Sequence, residues 1–152
     1  MDIIIDTCAI VRLAKGEIIS SLNKIFDTVY LPTAVFNECN QHAPTKEFLN
    51  KFQFTVKSVK NTLPIKLGQG EKECISLAHE MGIPYIATDD NKAILKAKAY
   101  QIECITSFNI IEIAKKTGLI DSVKKSLDTM ISQGEGINPN TYKHLLHKNN
   151  EA

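Results

Sequence analysis

Ile3-Ile4-Ile5-Asp6-Thr7-Cys8 is the stretch on which the fold turns. Three consecutive isoleucines read as a short strand buried on both faces, because a half-exposed strand would alternate with polar residues. A carboxylate then closes the run. The same pattern returns at Ile83-Pro84-Tyr85-Ile86-Ala87-Thr88, which ends in Asp89 and Asp90. Strands buried on both faces belong to parallel sheets covered by helices. In such sheets, sites are built outside the carboxyl ends of the strands.

Outward from these two runs, the pattern predicts a strand over residues 2–6 and helices over 9–14 and 17–26. In the second helix Ile18, Ile19, Leu22, Ile25 and Phe26 recur at helical spacing. A strand at Thr28–Leu31 precedes a helix that starts near Pro32 and runs to about Asn40. A short helix over 45–52 and a strand around Phe54, Val56 and Val59 follow. Leu67–Gly82 is the clearest helix, with a Gly-rich start and a glycine stop. Pro84–Thr88 is a strand, residues 90–99 a Lys- and Ala-rich helix, and Gln101–Thr106 a strand. Ser107 suits the N-cap of a helix through Lys116. Ile120, Val123, Leu127, Met130 and Ile131 mark an amphipathic helix, and Tyr142, Leu145 and Leu146 a last one. Helices alternating with short apolar strands predict an α/β fold. Its centre is a parallel sheet of four to five short strands, flanked by helices on both faces.

A chain of 152 residues fits a single domain. The reading divides it into a core at about 1–118 and a helical extension at about 119–148. The composition, 43% hydrophobic and 23% charged, is that of an ordinary soluble globular protein. No apolar run approaches membrane-span length, and no basic leader precedes the first strand, so the cytoplasm is the expected location. A net charge of +1 leaves no global footprint for nucleic acid; any RNA or DNA must be met by a local patch. Arg12 is the only arginine. Cys8, Cys39, Cys74 and Cys104 form no CxxC pair and read as reduced, buried small hydrophobes. Cys39 with His42 has workable zinc spacing, the alternative for those residues, and His144 with His147 is a weaker pair. The apolar stripes at 18–26 and 119–131 serve either a core or a subunit interface.

Four acids stand where apolar runs stop or helices begin: Asp6, Glu38, Glu71 and Asp89, with Asp90 beside the last. Brought together they would repel strongly unless a cation neutralises them. An oxygen-only cluster selects a hard ion, Mg²⁺ or Mn²⁺. Such an ion polarises a phosphoryl oxygen and activates water, so phosphodiester hydrolysis fits. Each acid also has a structural reading. Asp6 can cap the following helix, Glu38 can lie on a solvated face, Glu71 can favour a helix N-terminus, and Asp89 or Asp90 can cap the Lys-rich helix. Glu73 competes with Glu71 for either role.

These residues carry a resemblance. Ile3-Ile4-Ile5-Asp6-Thr7-Cys8, Glu38 within Leu31–Cys39, Gly70-Glu71-Lys72-Glu73-Cys74, and Thr88-Asp89-Asp90 resemble, in that order, the four acidic segments of PIN domains. Cys104-Ile105-Thr106 and Ala114–Ile120 are similar to the closing strand and helix of PIN-like toxins, and the remainder to an extension in one subgroup. The resemblance implies a PIN-like fold and a metal-dependent endoribonuclease of the VapC type, the toxin of a type II toxin–antitoxin pair. By it, Asp6, Glu38, Glu71 and Asp89 are catalytic and hold Mg²⁺ or Mn²⁺, with Asp90 a competing ligand. Cleavage would leave a 5′-phosphate and a 3′-hydroxyl. Thr7 and Thr88 either orient carboxylates or bond nearby backbone. Arg12, Lys92 and Lys96, with Lys98, are the substrate-binding cations, or else the lysines line a solvated helix face. Implied partners are RNA, a cognate antitoxin and a second copy of the chain, with no membrane.

Two departures stand out. Glu71 is one methylene longer than the Asp usual at the third site. Asp89, 18 residues after Glu71, fits the family spacing better than Asp90. The alternative function is a catalytically weak or inactive PIN-like module that binds a protein. A phosphoacceptor receiver domain fits poorly, since its acidic pair follows the first strand and here the pair follows a late one.

Overall fold

The computed structural model describes residues 1–152. Its sheet contains β1 (Ile3–Ile5), β2 (Val29–Pro32), β3 (Thr55–Lys57), β4 (Tyr85–Ala87) and β5 (Glu103–Ile105). All neighbours pair in parallel, in the order β3-β2-β1-β4-β5. The α/β class and the five-stranded parallel sheet agree with the sequence reading. β1 is central and its three isoleucines are fully buried. Ile4 is in register with Tyr30 on one side and Ile86 on the other. β3 is an edge strand exposed at all three residues, which is why its sequence pattern is faint.

The chain moves outward from β1 through β2 to β3, then returns to the other side of β1 for β4 and β5. That reversal opens a crevice between the carboxyl ends of β1 and β4. The helices are α1 (Thr7–Lys15), α2 (Leu22–Ile25), α3 (Thr33–Gln41), α4 (Ala43–Phe48), α5 (Gln69–Met81), α6 (Asn91–Lys98), α7 (Ser107–Lys116), α8 (Val123–Ser132) and α9 (Pro139–Lys148). Right-handed crossovers put the β1–β2 and β3–β4 connections on opposite faces. α5 accordingly packs across β2, β1 and β4, while α1 packs against α7 and α8. α5 ends at Gly82, whose φ of 68° is the left-handed cap that a side chain would strain. No helix is long and apolar enough to cross a membrane.

α8 and α9 share one hydrophobic cluster with β1. Val123, Leu127, Met130, Leu145 and Leu146 are buried in it. α8 packs Met130 closely onto the end of α1, where a Cβ at Gly16 would lie 2.9 Å from Cε of Met130. Ile18, Ile19, Leu22 and Phe26 are buried as well, so both apolar stripes serve mainly the core, while Ile131 at the end of the second stays exposed. Each such large side chain contributes about 1.5–3 kcal/mol by leaving water.

Local boundaries differ from the sequence reading in three places. Residues 17–26 are not one helix: Glu17 takes φ 60°, a 3₁₀ turn covers Ile19–Ser21, and only Leu22–Ile25 is α-helical. Consecutive serines, Ser20 and Ser21, favour caps and turns over a helix interior. The helix expected over 45–52 starts earlier, with Pro44 in its first turn, and ends as a 3₁₀ turn at Leu49–Lys51. Thr106, not Ser107, caps α7. Thr106 and Asn109 exchange side-chain-to-backbone bonds in a capping box, and Ser107 is fully buried.

The end of the chain fastens α8. Glu151 accepts from the Ser122 hydroxyl at 2.7 Å, from the N–H groups of Val123 and Lys124 at 2.8 and 3.1 Å, and from Lys115 Nζ at 2.6 Å. Burial opposes its ionisation, but Lys115, Ser122 and the two N–H groups outweigh burial and hold the carboxyl at about 2. A carboxyl held below its ordinary value of 4.5 stabilises the fold above that pH and loses its effect as pH falls toward 2. Glu151→Gln is therefore expected to lower Tm by about 2–4 °C at pH 7, with the gap closing between pH 4.5 and 2 in a thermal melt series.

Candidate active site

Asp6 lies between the end of β1 and the start of α1, and bonds in both directions. Its Oδ1 accepts from the Ala9 N–H at 2.9 Å and so caps α1. Its Oδ2 accepts from the Thr88 hydroxyl, just past β4. Its own N–H donates to the Ala87 carbonyl at 3.1 Å. The side chain is consequently buried, with the residue only 3% exposed. Burial pushes its carboxyl up to about 6; the Thr88 and Ala9 bonds pull the other way, and the charges of Asp89 and Glu71 add to the rise.

Asp89 follows Thr88 on the same edge. Its Oδ1 accepts from the Ser107 N–H at 2.8 Å, in the first turn of α7. Its Oδ2 is buried and has no hydrogen-bond donor; Arg12 Nη1 stands 3.7 Å away. Arg12 in turn lies over the Phe108 ring, 5.3 Å from its centroid. Asp90 is committed differently: its Oδ1 accepts from the Lys92 N–H at 3.2 Å and caps α6. The two adjacent acids thus face different helices.

Glu38 projects from α3 into the open, where its Oε2 accepts from the Thr7 hydroxyl at 2.8 Å. Glu71 is in the first turn of α5. Two glycines make room for both. A Cβ at Gly70 would stand 2.7 Å from Glu38 Oε1, and one at Gly68 would stand 2.6 Å from Glu71 Oε2. Glu73, the competitor for Glu71's role, is occupied elsewhere. It accepts from the Ala34 N–H at 3.1 Å and from Gln69 Nε2 at 2.8 Å, joining α5 to the start of α3.

A cleft of about 460 Å³ opens over this edge, lined by Arg12, Glu71, Asp89, Asp90 and Thr7 among others. Cys8, Val11 and Glu135 complete the lining; the sequence reading took Cys8 for a buried small hydrophobe and singled out neither of the other two. Cys8 is exposed rather than buried, because the first turn of α1 faces the cleft. Glu135, in the α8–α9 loop, closes one side. Only its position between Gly134 and Gly136 hinted that it tips a turn. Lys92, Lys96 and Lys98 are exposed on α6 and do not line the cleft. Cys39 is buried while His42 is exposed at the end of α3, and all four cysteines are free. His144 and His147 are exposed on α9.

A family model described as PIN domain matches residues 2–151. The chain belongs to the PIN domain family. PIN domains are generally nucleases, and the match spans α8 and α9 as well as the sheet. Among solved structures, a PilT N-terminus domain protein from the hyperthermophilic archaeon Sulfolobus solfataricus P2 is similar, with a TM-score of 0.51 and 17% identity. The likeness covers 91% of this chain and 98% of that one, and it shows the fold. No curated protein matches.

Divalent metal is the cofactor this PIN domain implies, and the donor set fits a hard cation. The ligating atoms on this edge are carboxylate oxygens, one of them Asp89 Oδ2, which has Arg12 3.7 Å away but no hydrogen-bond donor. The nearby thiols stay protonated: although Cys8 is exposed as a residue, partial desolvation of its thiol, with Asp6, Glu71 and Asp89 beside it, pushes it up to about 11 against Arg12, and burial does the same at Cys39. Protonated thiols do not compete as soft ligands. The acids converge without closing. No three Asp, Glu, His or Cys side chains form a ready cation cage. Mutual repulsion favours that open arrangement, in which protein donors hold Asp6, Glu38 and Asp89 separately.

Two outcomes follow for stability. The Asp6 carboxyl is raised from 3.8 to about 6, so its buried charge costs nothing below pH 3.8 and destabilises fully above pH 6, by about 3 kcal/mol. In chelator, Asp6→Asn is expected to raise Tm by up to about 8 °C at pH 8 and to leave it unchanged near pH 4. Gly70→Ala should leave Tm unchanged or raise it, since alanine favours the helix and meets only a flexible carboxylate. The same substitution displaces Glu38, so Mn²⁺ affinity by calorimetry should fall.

Proposed function

We propose that the chain is a metal-dependent endoribonuclease that hydrolyses phosphodiester bonds in RNA. The observation that carries this reading is that Asp6 and Asp89 close β1 and β4 on one edge with Glu71 beside them, Asp89 Oδ2 being buried without a hydrogen-bond donor, while Glu38 reaches the start of α1 through the Thr7 hydroxyl. Those four acids would hold Mg²⁺ or Mn²⁺, with Asp90, which lines the cleft while its Oδ1 caps α6, the competing ligand. When bound, the ion supplies charge neutralisation at phosphorus and activation of the attacking water.

The remaining work belongs to the chain's own groups. The Thr88 hydroxyl orients Asp6, and the Thr7 hydroxyl orients Glu38. Arg12, held by Phe108 and Asp89, presents the only guanidinium at the cleft to a phosphate. Water adds to phosphorus and the P–O3′ bond breaks, which leaves a 5′-phosphate and a 3′-hydroxyl. The family resemblance extends the reading to the toxin of a type II pair, acting in the cytoplasm with a protein antitoxin and as a homodimer. Most of the 18–26 and 119–131 stripes is core, so of them only a patch around exposed Ile131 is left for a dimer contact.

A second reading has one observation behind it: the acids do not form a ready cage. On that reading the chain is a catalytically weak module that binds a protein. RNA cleavage in Mn²⁺ separates the two. Wild type should cut single-stranded RNA in Mg²⁺ or Mn²⁺ and stop in chelator, while Asp6→Asn and Asp89→Asn lose at least a hundredfold in rate. Equal rates for wild type and Asp6→Asn, or no cleavage of varied RNAs, would favour the binding module.

A further inference from the structure

A second groove, of about 500 Å³, runs between α7 and the end of α9. Lys115, Lys116 and Lys148 line it together with Asn109, Asn149 and Asn150. The active-site cleft is its electrostatic opposite. There Glu71, Asp89, Asp90 and Glu135 face a single cation, Arg12. A polyanion gains little affinity from such a cleft and must be held elsewhere. We propose that the α7–α9 groove is the docking track for the phosphate backbone of single-stranded RNA. The proposal deepens the ribonuclease reading and rests on it for the identity of the strand.

The free donors decide what the groove fits. Lys116 has no ion-pair partner. Asn109 uses its Oδ1 on the Thr106 N–H, which leaves its amide N–H₂ for a ligand. Asn150 makes no side-chain hydrogen bond within the chain and is exposed. Lys115 is committed to Glu151 and to the Asn149 carbonyl. The lining contains one acid, Glu112, and it is already covered, by Lys148 at 3.2 Å and Asn149 Nδ2 at 3.1 Å. No uncovered carboxylate therefore faces the groove. Ile113 is its single hydrophobic residue and no aromatic ring lines it, so it offers neither an apolar anchor nor a base-stacking platform. Ammonium and amide donors without either suit phosphate oxygens and carry no sequence preference.

Position links the groove to the chemistry. α7 starts at Ser107, whose N–H binds Asp89, and its groove-lining residues Asn109, Glu112, Ile113 and Lys116 follow at helical spacing. The helix rises about 1.5 Å per residue, so Lys116 lies about 14 Å along it from Ser107. A strand cut at the β1–β4 edge can continue down α7 for a few nucleotides.

Fluorescence anisotropy in chelator tests this, with a labelled 20-nucleotide single-stranded RNA and a labelled dinucleotide. The variants are Lys116→Ala with Asn150→Ala, two side-chain donors with no partner within the chain, and Lys116→Arg as the conservative control. The double variant is expected to bind the 20-mer about fivefold more weakly, with a salt slope smaller by about 0.7. Its Tm, Mn²⁺ affinity and binding of the dinucleotide should stay at wild-type values, and Lys116→Arg should keep the affinity. Unchanged 20-mer affinity, no RNA binding by wild type, or preference for an acidic peptide over RNA would overturn the groove assignment. Wild type that binds through these side chains but never cleaves in Mn²⁺ would overturn the ribonuclease reading and leave the groove standing.

Discussion

The hydrogen bonds of the Asp6 carboxylate hold the molecule's two halves in one register. One oxygen closes the first turn of α1; the other meets Thr88 beyond β4. β1 and β4 are far apart in sequence, and the crevice between them exists because the chain reverses direction around β1. A single buried acid therefore marks the switch point, fixes the direction of α1 and faces Asp89. Its charge costs stability at neutral pH, a cost that the fold's apolar cluster outweighs. A destabilising group kept at a crevice is the pattern of a functional site rather than of a structural one.

The rest of the site is arranged to tolerate that concentration of charge. α1, α5, α6 and α7 all begin on the edge where the strands end, so their N-termini point partial positive charge at the acids. Asp6, Asp90 and Asp89 each accept a backbone N–H from α1, α6 or α7. Gly68 and Gly70 clear the floor on which Glu71 and Glu38 lie. Under the proposed function, the acidic cleft would serve chemistry and the lysine-lined groove along α7 affinity.

Much of this was legible in the residues. Ile3-Ile4-Ile5 and Tyr85-Ile86-Ala87 announced the buried parallel strands because no polar residue interrupts them. Their terminal acids announced the edge. β3 was faint because an exposed edge strand has no buried face to impose alternation. The break in residues 17–26 was hidden because helical spacing of apolar residues survives in a 3₁₀ turn followed by one short helix. Which of Asp89 and Asp90 faces the cleft's interior, and whether Glu71 or Glu73 lies free, depend on partners distant in sequence: Ser107 for Asp89 and Ala34 for Glu73. Local sequence carries no trace of such pairs. Glu135 and the α7–α9 groove were illegible for the same reason, since both are assembled by the docking of α8 and α9.

The claim on which the rest stands is that the Asp6–Asp89 edge binds a divalent cation. A crystal grown with Mn²⁺ and measured at the manganese absorption edge tests it most directly. An anomalous peak in contact with Asp6 and Asp89, with Glu38 or Glu71 turned toward it, is the expected result. No peak at saturating Mn²⁺, or a peak held by residues outside the cleft, would contradict it.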